Sequence, residues 1–87
     1  MNAPADAPPD LPDLPALPSA PLGRYRHYKG LHYQLLGVVR HSESLEPLVL
    51  YRPLYAARGD WVRPYAMFFE DVVIDGVRQP RFARIGE

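Results

Sequence analysis

Eighty-seven residues hold one domain at most, and seven of the eleven prolines fall before residue 22, which leaves residues 23–87 as the part able to fold. A domain of that size buries only about 60% of its unfolded surface, so no enclosed pocket for a large cofactor is expected and any site should be a surface groove. The absence of cysteine excludes disulfides, iron–sulfur clusters and thiolate zinc sites, while the zero net charge divides unevenly: three acids and no base over residues 1–22, ten bases and seven acids (+3) over 23–87.

Prolines at 9, 12, 15, 18 and 21 and leucines at 11, 14 and 17 recur every third residue. A polyproline II helix has that period, so residues 1–22 are expected to be a disordered, extended tail that joins no core and adds little to stability. The tail is read as a solvated spacer or as a ligand for an aromatic groove on another protein or a second copy. It lacks the early basic residue of a secretory signal, and the longest apolar stretches, such as Leu35–Val39, fall far short of a bilayer span. The expectation is a cytoplasmic protein with no membrane contact.

From Gly23 the pattern changes to short strands. Tyr25 and His27 alternate with Arg24, Arg26 and Tyr28, and Lys29-Gly30 breaks the run. Tyr33–Arg40 is apolar on both faces, as a central strand would be. Leu48–Tyr55 reads as a third strand, with Pro53 marking an edge or bulge, and Ala57-Arg58-Gly59-Asp60 as a turn. Trp61 begins a fourth strand, and Pro64–Phe69 suits a single helical turn. Val72–Ile74 leads into Asp75-Gly76, a strong two-residue hairpin signal, and Pro80 interrupts the returning strand before Arg81-Phe82. Five or six short strands with tight turns make an all-β barrel or roll.

Two stretches carry candidate chemistry. In Arg24–Lys29 rings alternate with cations, as nucleic-acid and anion sites require, and Trp61 and Arg63 repeat the pairing on one strand face. Tyr25 and Trp61 are equally at home in a core, and Arg63 is placed to pair with Glu43 or Glu46. The second stretch is His41, Ser42, Glu43 and Glu46. Neighbours in a strand face apart, and no Gly-x-Ser-x-Gly elbow aims Ser42 at His41, so a polar turn is expected. His27, His32 and His41 lack zincin spacing, and no metal or cofactor is expected.

The segments "GRYRHYKG" (23–30), "HSESLEPLVLY" (41–51), "WVRPYAMF" (61–68) and "RF" (81–82) resemble the bacterial domain-of-unknown-function 1653 family. The resemblance implies a small SH3-like β-barrel over residues 23–87 and no established activity. Its recurrent positions here are Tyr25, His27, Lys29, Gly30, His41, Ser42, Glu43, Glu46, Tyr51, Trp61, Arg63, Pro64, Phe68 and Phe82, and Ala56 stands where the resemblance implies glycine. Sequence thus leads to a non-catalytic module gripping RNA or another anionic ligand through Tyr25, His27, Lys29, Trp61 and Arg63. The alternatives are a small enzyme using His41, Glu43 and Glu46 as acid–base groups, or a subunit that docks on a protein partner through its polyproline tail.

Overall fold

The computed structural model of the chain describes residues 14–57 and 59–87. Its elements in chain order are β1 (Gly23–His27), β2 (His32–Arg40), β3 (Pro47–Pro53), β4 (Trp61–Pro64), α1 (Tyr65–Phe68), β5 (Asp71–Ile74), β6 (Val77–Pro80) and β7 (Phe82–Gly86). An antiparallel five-stranded sheet has the order β4-β3-β2-β1-β7, and β5 and β6 pair only with each other. The all-β expectation holds, with two refinements. Among the described residues there are seven strands, because the Pro80-Arg81 interruption separates two strands that belong to different sheets. The large sheet keeps β4 and β7 as edges, so it curls without closing into a barrel.

Local chemistry explains the elements. The long apolar strand β2 lies in the middle of the sheet, and its register slips between Leu35 and Gly37 where it bulges against β3. Asp75 and Gly76 have φ of 52° and 78°, the conformation that a type I′ hairpin turn demands of both central residues. Ala56 is absent from the positive-φ residues, so the turn after Tyr55 accepts alanine without backbone strain. Of the Arg-Gly-Asp tripeptide, Arg58 lies outside the described residues; Asp60 forms a bidentate pair with Arg52, at 2.7 and 3.1 Å.

The core is a layer of rings on one face of the sheet. Tyr25, Tyr33, Leu35, Val49, Tyr51, Phe68 and Phe82 are buried together, with α1 laid across them. Phe68 stacks flat on Phe82 (4.1 Å, 3°) and meets Tyr25 and Tyr51 edge to face at 5.5 and 5.4 Å. Each core tyrosine carries its hydroxyl to a partner at the rim: Tyr25 to the Pro21 carbonyl, Tyr33 to Tyr55, and Tyr51 to Arg63.

The tail is described only from residue 14. Residues 1–13 lie outside the described residues, but residues 14–22 run along the body. Carbonyls of Pro15, Ser19, Pro21 and Leu22 accept bonds from Arg40, Tyr65, Tyr25 and Arg84, and Ala20 packs against the core. The physical reason is that a polyproline chain leaves its carbonyls without internal partners, so donors on the body can take them. Gly23 joins the tail to β1 at φ 134°, and a Cβ there would collide with the Gly86 carbonyl oxygen.

Candidate ligand-binding face

The core face continues past the buried rings to a half-open end. Strand register decides which side chains meet there. His27 faces Phe82 across the β1–β7 ladder, Tyr33 faces Pro53 across β2–β3, and Tyr51 faces Trp61 across β3–β4. Trp61 and Arg63 sit two residues apart on β4 and therefore share this side. The Trp61 ring lies 6.1 Å from Tyr51 and 6.3 Å from Tyr33, yet 40% of the residue remains accessible. Tyr55 is also exposed, and its hydroxyl lies 2.9 Å from that of Tyr33. Burial, with the Tyr55 bond, raises the Tyr33 pKa and keeps that phenol neutral.

The cations gather on the same rings. The Arg63 guanidinium stands 5.5 Å over the Phe82 ring, and its Nε reaches the Tyr51 hydroxyl at 3.4 Å. His27 packs edge-on to Phe82 at 4.9 Å and tilts over Tyr28 at 4.5 Å, and Lys29 lies over the far ring of Tyr28 at 5.9 Å. His27 Nδ1 accepts the Lys29 backbone N–H at 3.1 Å, which assigns the remaining ring proton to Nε2. Its pKa is lowered first by burial and then by Arg63, Lys29 and Arg81, with no acid among the causes. Arg81 is paired with Glu70, yet its buried Nε has no acceptor among the described residues. Neither Lys29 nor Arg63 enters an ion pair among those residues.

Four of the five sequence candidates, His27, Lys29, Trp61 and Arg63, therefore belong to this end of the sheet. Tyr25 does not. It is 2% exposed with its ring inside the core, so it offers no face for stacking; the alternation shared with His27 identified the right side of the strand but not how far the core covers it. The expected pairing of Arg63 with Glu43 or Glu46 is not formed either, because Arg63 turns onto Phe82 and Tyr51. Tyr33 and Tyr55 enter the site without having been sequence candidates. Tyr33 carried a visible signal as an aromatic on the central strand, whereas Tyr55 depends on a hydroxyl contact that no local pattern encodes.

His41, Ser42, Glu43 and Glu46 form the turn between β2 and β3. His41 Nδ1 accepts the backbone N–H groups of Glu43 and Ser44 at 3.0 and 3.2 Å, and Ser44 Oγ accepts that of Glu46 at 3.3 Å. The turn is further closed by the His41 N–H to the Glu46 carbonyl and by Leu45 in the left-handed region, φ 66°. The capping side chains are thus His41 and Ser44. Ser42 makes no side-chain bond to His41 among the described residues, and those residues contain no group of three or more His, Cys, Asp or Glu able to hold a metal. The depression of about 420 Å³ lined by Arg52, Ala56, Ala57, Gly59 and Asp60 lies beside the Arg52–Asp60 pair and holds no ring. No helix among the described residues is long and apolar enough to cross a membrane.

The family model described as "Protein of unknown function (DUF1653)" matches residues 23–84. Among solved structures, the chain is similar to the crystal structure of a protein belonging to DUF1653 from Bordetella bronchiseptica: 42% identity, TM-score 0.72, covering 77% of this chain and 88% of that one. No curated protein matches the chain.

Proposed function

Since the chain belongs to the DUF1653 family, whose description carries no activity, its role must be argued from its own residues, and we propose that it is a non-catalytic module binding an anionic ligand that carries rings, with single-stranded RNA as the leading case. The observation that carries this reading is an accessible Trp61 beside Arg63, on a face where every charge acting on His27 is positive. A nucleotide needs that combination: a ring face for the base and cations for the phosphate. The orphan Arg81 Nε–H adds a donor in want of an acceptor. The face is open, as expected for a strand of nucleotides and not for an enclosed small molecule. The acid–base alternative draws less support, because His41 Nδ1 is already engaged by two backbone N–H groups inside its own turn.

The test is titration of a fluorescent single-stranded oligoribonucleotide onto the full chain from low to moderate salt. With three or four phosphate contacts the log–log salt slope should be about −2 to −3. No binding at low salt, or binding that keeps the same slope after Lys29→Ala and Arg63→Met, would overturn the proposal.

A further inference from the structure

The strip that holds residues 14–22 is chemically unlike the aromatic face. It consists of side-chain donors set in a row: Arg40 Nη2 to the Pro15 carbonyl (2.7 Å), Tyr65 Oη to Ser19 (2.9 Å), Tyr25 Oη to Pro21 (2.7 Å) and Arg84 Nε to Leu22 (3.0 Å). All four acceptors are backbone carbonyls of an extended segment, and none is a side chain of the tail. Three of the donors also have contacts that do not involve the segment. Arg40 is fixed by a second bond, Nη1 to the Leu45 carbonyl at 2.9 Å, the Tyr25 ring is locked in the core, and the Tyr65 ring packs on Phe69 at 4.8 Å. Between the donors lies apolar surface against which Ala20 packs.

A row of donors over apolar surface selects for a chain that is extended, rich in free carbonyls and poor in N–H groups. Proline-rich peptide meets all three conditions, since each proline removes an N–H and favours the extended form. We infer that the strip formed by Arg40, Tyr65, Tyr25 and Arg84 is a binding site for proline-rich peptide, which this chain fills with its own residues 14–22. Its tail is then a tethered competitor for proline-rich segments of other chains. The site is separate from the His27–Trp61 face and does not depend on what that face binds.

The experiment uses the full-length chain and a full-length variant carrying Pro15→Gly, Pro18→Gly and Pro21→Gly, whose flexible tail fills the strip less well. A fluorescent peptide of residues 10–22 is titrated onto both, with circular dichroism as the check on fold. A tethered ligand competes at an effective concentration in the millimolar range, so the peptide should bind the variant roughly tenfold or more tightly than the native chain. Adding Tyr65→Phe to the variant should weaken that binding. A peptide that binds neither protein, or both equally, would overturn the inference. Should the triple variant lose its fold, Tyr65→Phe alone in the native chain decides: the 15N heteronuclear NOEs of the Ala16, Leu17, Ser19 and Ala20 amides should fall toward those of a free tail, and unchanged values overturn the proposal.

Discussion

His27 and His41 both accept backbone N–H groups on Nδ1, and they stand at opposite ends of the same sheet. His27 follows Arg26, the partner of His32 at the start of β2, whereas His41 follows Arg40 at its end. Nine residues at about 3.3 Å each place those ends roughly 26 Å apart. At the His41 end the imidazole serves its own turn, binding two N–H groups with no aromatic ring paired to it. At the other end one N–H is bound, and the ring faces Phe82 and Tyr28 among three cations. The denser cluster of reactive residue types in the sequence is thus the one whose imidazole is engaged by its own turn. Chemistry is set by what surrounds an imidazole, and that is decided by strand register.

The comparison breaks most completely at Phe82, which lies beneath both His27 and Arg63 and stacks on Phe68. Phe82→Ala should cost about 3–5 kcal/mol. A domain of this size holds about 3–10 kcal/mol in all, so urea denaturation should find the variant largely unfolded. Survival with near-native stability would mean that the ring layer is not the core.

Next comes Trp61→Ala. With 40% of the residue accessible, its loss should weaken oligoribonucleotide binding by about 1–3 kcal/mol with little change in the salt slope. Unchanged affinity would remove Trp61 from the site. Lys29→Ala and Arg63→Met sharpen the contrast differently: each should make the salt slope shallower by about 0.7, the share of one phosphate on a single strand.

The His27 end also carries a pH dependence. His27 is depressed below its ordinary value by burial and by Arg63, Lys29 and Arg81, so between the two values the unfolded chain binds more protons than the folded one. Its contribution to stability is complete above about pH 6.5 and is lost as pH falls through the depressed value. A phosphate beside His27 would raise that value, so binding should tighten over the same window. His27→Gln should flatten both trends in thermal melts and titrations, and trends that persist would assign them to other groups. The smallest effects are expected at the far end. His41→Ala should cost about 1 kcal/mol of stability through its lost turn bonds, and Ser42→Ala less than about 0.5, neither with any effect on binding. Labelling of Ser42 by a fluorophosphonate probe would instead revive a hydrolase.

Much of this molecule was legible residue by residue. The apolar run of β2 gave a central strand, Asp75-Gly76 gave its hairpin, and Pro64–Phe69 gave the single turn of α1. Alternation put His27 and Tyr25 on one side of β1, and Trp61 and Arg63 on one side of β4. It could not reveal that α1 covers the first pair only as far as Tyr25, since that depends on where Phe68 lands. The docking of the tail was equally hidden. Its bonds are made by carbonyls, which every residue carries, so the amino-acid pattern that predicts an extended chain is silent on what the chain touches. The change of sheet after Pro80 was hidden for a similar reason: proline marks an interruption but not where the next strand pairs.

The sheet order has a consequence for how the protein folds. Strands β1 to β4 pair with their sequence neighbours, so that meander closes through short loops. Strand β7 instead returns to β1, with His27 opposite Phe82, across more than half the chain. Loop-closure entropy makes such a contact late in forming. The meander can therefore form while β7 is still unpaired, but with Phe68 unstacked and the aromatic layer open to solvent. The ring that completes the core arrives when β7 pairs with β1, and until then the folding chain presents its stickiest surface to whatever surrounds it.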